Sequence, residues 1–304
     1  MKSPILFLIF NRPDTTAKVW KIISDAKPPR IYIAADGPRL NRESDLPKCS
    51  ETRKITEFVD WDCEVKRLYR PENLGCGKGV SEAITWFFQN EEMGIIIEDD
   101  IEPHPDFFEY CDIMLDKYKN DNSIQLLAGH NTFYNGYKSN VSYYMSSLFH
   151  MWGWASWRRV WETYEFDVKK LEKDEFKKKL FERELSNPIK NYWMRVFDMM
   201  QNHGIDTWDF QLYFNQIMYD RYSIVSYRNL TRNIGFSLEA THTIKENIKE
   251  SYHKALSPLP IIHPLKDNCF DADADLLFAK NYGWYQYSII ERLFRVFRRL
   301  LAIK

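Results

Sequence analysis

Three consecutive acids, Glu98, Asp99 and Asp100, follow directly on the apolar run Ile95-Ile96-Ile97, with no spacer between buried and charged residues. An apolar run of this kind reads as a strand covered on both faces. The acids should therefore emerge at its carboxyl end, where open α/β sheets bind their ligands. Carboxylates this close repel one another unless a cation or a hydrogen-bond donor compensates, and an all-oxygen cluster suits a hard divalent ion such as Mg2+ or Mn2+. A solvated strand end is the other reading of the same residues. Pro103 and Pro105 should stop the strand, and Asp106 can cap a helix carrying Phe107, Phe108 and Tyr110.

A second candidate is the loop that contains Gly75, Gly77, Lys78 and Gly79. Its glycines would let backbone approach a ligand, and Lys78 would add positive charge. The spacing G-x-G-x-G matches neither the dinucleotide fingerprint nor the P-loop, so a helix-entry loop is the reading favoured over phosphate binding. Further along, four tryptophans fall between residues 152 and 161. Trp157 and Trp161 are spaced as one helix face and read as core, whereas Trp152 and Trp154, flanking Gly153, are expected in a turn that could face a substrate. Asp209 stands beside Trp208 at the start of an expected helix, which it could simply begin. His242 is a lone histidine in a polar, irregular segment, and such a residue usually has a structural hydrogen-bonding role.

These groups need elements to hold them. Strand and helix patterns alternate through the first 130 residues, the mark of a parallel sheet wrapped by helices. Strands are expected at residues 4–10, 30–35, 63–69, 95–97 and 124–129, and helices at 14–25, 50–59 and 80–89. Asn11-Arg12, Asp36, Glu98 to Asp100 and His130-Asn131 each follow a strand, so one rim of the sheet collects the chemistry. Residues 166–184, rich in lysine and glutamate, read as a solvated helix. Residues 191–203 read as a helix that buries Trp193, Val196, Phe197 and Met200. Residues 285–304 alternate apolar and arginine positions as a basic amphipathic helix, suited either to an anionic membrane surface or to docking on protein.

Composition narrows the class. The 304 residues, 44% of them hydrophobic, can bury a substantial core, and a net charge of -1 argues against nucleic acid as the main partner. Five cysteines without C-x-x-C spacing indicate neither a zinc site nor a disulfide framework, and fit a reducing compartment. The apolar run at the N-terminus is too short for a signal peptide and reads as a strand; no run approaches a membrane span. An aromatic content of 16% suits sugar or base stacking as well as it suits a Phe-rich core.

Taken in order, Glu98-Asp99-Asp100, the following Ile101-Glu102 and Pro105-Asp106-Phe107-Phe108-Glu109-Tyr110, Gly153-Trp154, Trp208-Asp209 and Thr241-His242-Thr243 resemble the motifs of GT-A fold nucleotide-diphospho-sugar glycosyltransferases. The likeness is to N-acetylglucosaminyltransferase I and the bacterial HlpA-like sugar transferases, over residues 4–243. It implies an α/β, Rossmann-like GT-A fold with a mostly parallel central sheet; the C-terminal helical extension is read from the amphipathic pattern of the tail, which lies outside the resemblance. Residues 1–250 would form the glycosyltransferase domain, with a nucleotide-binding half at 1–131 and an acceptor-binding half at 132–250, and residues 251–304 the extension.

The resemblance also assigns roles. Glu98-Asp99-Asp100 would be the DxD-type motif, with Asp100 ligating Mn2+ or Mg2+ on the donor diphosphate and Asp99 holding ribose or sugar. Arg12 would contact the phosphates, Asp36 a uracil-type base, Trp154 the donor sugar, and His242 the metal or pyrophosphate. Asp209, paired with Trp208, would be the general base. The glycine-rich form of the 75–79 loop departs from N-acetylglucosaminyltransferase I, which leaves Lys78 without a clear counterpart.

The expected activity is inverting transfer from a UDP-sugar to a hydroxyl of a glycan or lipid-linked glycan. The expected location is the cytoplasm, peripheral on the inner membrane face through residues 285–304. A sugar-binding scaffold of the same fold and a metal-dependent hydrolase are the competing readings.

Overall fold

The computed structural model describes residues 1–133, 137–235, 259–265 and 269–285. Its centre is an eight-stranded sheet in the order β3-β2-β1-β4-β8-β6-β9-β7, formed by β1 (Ile5–Ile9), β2 (Arg30–Ala35), β3 (Glu64–Tyr69), β4 (Met93–Glu98), β6 (Ile124–Ala128), β7 (Tyr143–Ser146), β8 (Trp154–Trp157) and β9 (Tyr222–Ser226). β1 to β4, β6 and β9 all run in one direction, and β7 and β8 oppose them. The fold is thus α/β with a mostly parallel sheet. Every residue of β1 is buried, as is the Gly94–Ile97 stretch of β4, because helices cover both faces.

The pleat divides each strand between two cores. Ile5, Phe7, Ile9, Ile95 and Ile97 face one side, over α1 (Pro13–Ala26) and α4 (Asp106–Lys117). Leu6, Leu8 and Ile96 face the other, over α3 (Cys76–Asn90), α6 (Lys173–Glu182), α7 (Asn187–Asn202) and α8 (Asp209–Met218). α2 (Asp45–Ile55) starts earlier than the sequence suggests, because Asp45 is buried against Arg39 and Asn11 and anchors its first turn.

Several local expectations are corrected. The segment 166–184 is not one solvated helix. It holds a 3-10 turn at Val168–Lys170 and then α6, whose Phe176 and Leu180 are fully buried; the Phe176 ring stacks on Phe197 at 4.2 Å. Trp157 ends strand β8, while Trp161 lies in the short α5 (Arg158–Trp161), so both are core but do not share a helix. Ile101 to Pro103 continues as a strand, β5 (Ile101–Pro103), paired antiparallel with β10 (Thr231–Asn233) in a separate two-stranded ribbon. β5, β7, β8, β9 and β10 are additional to the strands read from the sequence.

Residues 269–285, which the sequence places in a C-terminal extension, pack into the same core as the sheet. Phe270 bridges to Met145, and α9 (Ala272–Tyr282) buries Ala274, Phe278 and Ala279. Asp271 caps α9 through the amide of Ala274 and accepts hydrogen bonds from the Tyr137 and Tyr227 hydroxyls. No helix among the described residues is long and apolar enough to cross a membrane. The amphipathic stretch expected at 285–304 lies outside the described residues beyond Tyr285.

One turn into α9, Asp275 is 2% exposed, and its carboxyl meets the Ser146 hydroxyl and the Ser147 amide. Burial pushes this carboxyl from the usual 3.8 up to about 7, against the opposing effect of the two hydrogen bonds. Between those pH values the folded chain binds more protons than the unfolded chain, so this group removes stability as pH rises from about 4 to about 7 and costs no more above that. Asp275→Asn lacks the titration. Its melting temperature relative to wild type is therefore expected to climb between pH 5 and pH 8, by the equivalent of roughly 2–4 kcal/mol. A flat difference in calorimetric scans would contradict this account.

Candidate functional site

The carboxyl ends of β1, β2, β4 and β6 lie along one rim, because all four strands run in the same direction. At the end of β4 the chain turns sharply through Asp99 and Asp100 into β5. The ribbon locks this turn, because β10 continues to Ile234, whose amide donates to the Asp100 carbonyl at 2.8 Å. Gly235 then passes so close to Asp100 and Arg12 that a Cβ there would lie 2.2 Å from Asp100 Oδ2 and 2.7 Å from Arg12 Nη1. A side chain at 235 would therefore displace the Asp100 carboxylate or the Arg12 guanidinium, so glycine here permits their pairing through close approach rather than through its backbone angles.

The three acids are used differently. Asp99 turns inward, 7% exposed, and accepts the Phe10 amide at 2.9 Å, which ties the end of β4 to the end of β1. Burial and the neighbouring Asp100 raise its carboxyl to about 7, with Arg12 and the Phe10 amide pulling the other way. Asp100 points to Arg12 and forms an ion pair with it. Glu98 makes no hydrogen bond or ion pair with any described residue. Its carboxyl is pushed well above the usual range by burial and then by the charges of Asp100, Asp99 and Asp209, with Arg12 the opposing influence.

Asp209 opens α8, near enough to the end of β4 for its charge to reach Glu98. Its Oδ1 is held by the Thr207 hydroxyl and the Phe210 amide, while its Oδ2 accepts no hydrogen bond from a described residue. Three aromatic or thiol groups sense the same charge: Tyr164, Tyr192 and Cys76 are all shifted upward, chiefly by burial and then in part by Asp209. Cys76, pushed up to about 12, responds also to Glu98, Asp206 and Asp100, so it sits where the two acidic walls meet. Arg12 is the cation that opposes the shifts of Glu98 and Asp99.

Other expected site residues fall elsewhere or serve the scaffold. Trp154 is not in a turn: it is the first residue of β8, 1% exposed, paired with Ile96 and Ala128. Its ring stacks on Trp208 at 5.8 Å, and Trp208 is itself 3% exposed. The pair forms a buried wall behind Asp209, and the Trp208 carbonyl is further fixed by the Tyr164 hydroxyl at 2.8 Å. Trp152 remains half-buried, packed on His130 at 4.6 Å and His150 at 4.3 Å. Asp36 accepts the amides of Leu74 and Gly37, so its carboxylate shapes the rim between β2 and the glycine-rich loop. Lys78 lies in the first turn of α3, 60% exposed, with its ammonium toward Glu82 at 3.7 Å rather than over the acids. His242 lies outside the described residues.

Asp206, Cys76, Tyr164, Tyr192 and Gly235 were not singled out from the sequence. Only Asp206 had a local signal, as an acid three residues before Asp209 and two after a glycine.

The compensation a cation would supply is plain from the charges: three carboxyl groups, Glu98, Asp99 and Asp100, act on one arginine, Arg12. Among the described residues no group of three or more potential ligands is arranged to hold a metal ion. One or two carboxylates, such as Asp100 and its neighbour, are as many as a Mg2+ ion commonly takes from a protein.

No family model matches the chain, and no curated protein matches it. Solved structures superpose in part. HddC from Yersinia pseudotuberculosis matches at 11% identity and a TM-score of 0.33, covering 53% of this chain and 80% of that one. TarS 1–349 from S. aureus matches at 12% and 0.37, covering 72% and 69%. Mouse xyloside xylosyltransferase 1 matches at 7% and 0.35, covering 71% and 81%. At this identity and overlap the likenesses assign no activity.

Arg12 is the charge on which the acids rely, so Arg12→Gln tests the electrostatic account. The variant leaves raised carboxyls with no opposing cation, and it should recover only where they can take up protons. Its stability deficit against wild type is expected to be small near pH 5.5 and to grow as pH rises through 7, reaching about 1–3 kcal/mol by pH 8. A deficit independent of pH in urea melts would show that Arg12 does not act through the titration of Glu98 and Asp99.

Proposed function

We propose that this protein is a GT-A glycosyltransferase of the kind represented by N-acetylglucosaminyltransferase I and the HlpA-like enzymes. It would move a sugar with inversion from a UDP-sugar to a hydroxyl of a glycan or lipid-linked glycan. One observation supports the reading. The Glu98 carboxyl feels Asp100 and Arg12 from its own rim and Asp209 from the start of α8, so the acid triplet and the carboxylate that opens α8 are close enough to act on one substrate.

In this reading Arg12 and Asp100 share the diphosphate end of the donor. A divalent ion bound at Asp100 and the donor phosphates would neutralise the charge that builds on the leaving diphosphate. Arg12, released from its pairing, adds a fork of donors suited to phosphate oxygens. Asp99 keeps the ends of β4 and β1 together, so that the two groups stay in register. Asp36 and Leu74 set the rim that would hold the base.

Asp209 is suited to take the acceptor proton. The Thr207 hydroxyl and Phe210 amide fix one of its oxygens and leave the other available, and positioned acid–base groups of this kind contribute about 10²–10⁴-fold in rate. The Trp154–Trp208 wall keeps that carboxylate from retreating into the core. A base and a leaving-group site on opposite walls favour attack from the face away from the diphosphate, which inverts the anomeric centre. The basic stretch at 285–304 would keep such an enzyme on an anionic membrane surface, within reach of a lipid-linked acceptor.

Asp209→Asn should retain Mn2+-dependent binding of a UDP-sugar and lose at least about 100-fold in transfer. Asp100→Asn should lose the Mn2+-dependent part of donor binding, read by calorimetry with and without the ion. Normal turnover by Asp209→Asn would remove the proposed base. A thermal-shift screen of UDP-sugars in which none stabilises wild type with Mn2+ or Mg2+ would remove the donor class.

A further inference from the structure

The glycine-rich loop and the loop before Asp209 are 130 residues apart in sequence, yet they are seated on one another. Asp206 accepts the Cys76 amide at 3.0 Å through Oδ2 and the Gly77 amide at 2.7 Å through Oδ1. Both amides are first-turn donors of α3, groups that no helical carbonyl can satisfy and that favour an anion. The glycines make room for the carboxylate: a Cβ at Gly75 would lie 2.6 Å from Asp206 Oδ2, and one at Gly77 would lie 2.9 Å from Asp206 Oδ1 and 2.9 Å from the Thr207 carbonyl. Gly75 also has φ +84°, a conformation that disfavours a side chain whatever the space.

We propose that Asp206 is a positioning residue for Asp209: it pins the 204–208 loop to the start of α3, and so holds the base-bearing end of α8 against the rim that carries Asp36, Glu98 and Asp100. This rests on the reading of Asp209 as the general base. The same amino-terminal donors that a phosphate loop would offer to a ligand are here given to the protein's own carboxylate. Thr207 transmits the constraint, since its hydroxyl holds Asp209 Oδ1 and its carbonyl lies against Gly77. The diphosphate contacts, Arg12 and Asp100, lie outside the seat, so loosening it should disturb proton transfer more than donor binding.

The test uses full-length protein with Mn2+ and a panel of UDP-glucose, UDP-galactose and UDP-N-acetylglucosamine, followed on whichever donor wild type consumes. Asp206→Ala is expected to lower kcat about 10-fold with the donor KM within about twofold. Gly77→Ala, which crowds the seat from the opposite side without changing charge, should lower kcat by a similar factor. A kcat within twofold of wild type in both variants, or a loss confined to KM, overturns the proposal. Hydrogen exchange reads the seat without turnover: in Asp206→Ala, amides of residues 203–208 should exchange at least about 10-fold faster while the interior of α8 is unchanged. If wild type consumes no donor, the glycosyltransferase reading fails on that result alone. Unchanged exchange at 203–208 overturns the seat itself, whatever the activity.

Discussion

Negative charge concentrated at the end of one buried strand is the constraint around which the rest of this molecule is arranged. Glu98, Asp99 and Asp100 leave the sheet together, and Asp209 approaches them from α8. Carboxylates withdrawn from water cost several kcal/mol each unless something compensates. The protein compensates unequally: Asp99 receives a backbone amide, Asp100 receives Arg12, and Glu98 receives no direct partner among the described residues. A charge imbalance of this kind is unfavourable for folding alone and useful for attracting a cation or a cationic transition state.

The surrounding architecture limits where those charges can go. The β5–β10 ribbon fixes the turn after Asp100, and Gly235 closes over it without room for a side chain. β8 enters the sheet antiparallel between β4 and β6, and its Trp154 reaches Trp208 immediately before Asp209. One strand insertion thereby links the acid triplet to the opposite wall through packed aromatic rings. The C-terminal α9 then supports the far end of the sheet, where Asp271 gathers the Tyr137 and Tyr227 hydroxyls.

The glycine-rich loop is the helix entry that its spacing favoured, and the structure adds the partner that the pattern could not name. Its glycines do permit a close approach, and its helix start does take an anion, but the anion is Asp206. Lys78, the residue that suggested phosphate, turns to Glu82 at the surface. A one-dimensional pattern records that room has been made; it does not record what fills the room.

By itself, the sequence determined the alternation of β1 to β4 with their helices, the rim on which Arg12, Asp36 and the acid triplet would gather, and the helix that Asp209 begins. Those features follow from hydrophobic period and from charge placed next to an apolar run, both local properties of the chain. It also determined that Trp193, Val196, Phe197 and Met200 face inward, because their spacing matches a helical turn. Only the tertiary structure decided that Trp154 is a buried strand residue, that Thr231 to Asn233 completes a ribbon beside Asp100, and that Asp206 seats on Cys76 and Gly77. Each of these depends on pairing between segments far apart in the chain, where short polar or aromatic stretches carry no period of their own and the partner supplies both the hydrogen bonds and the burial.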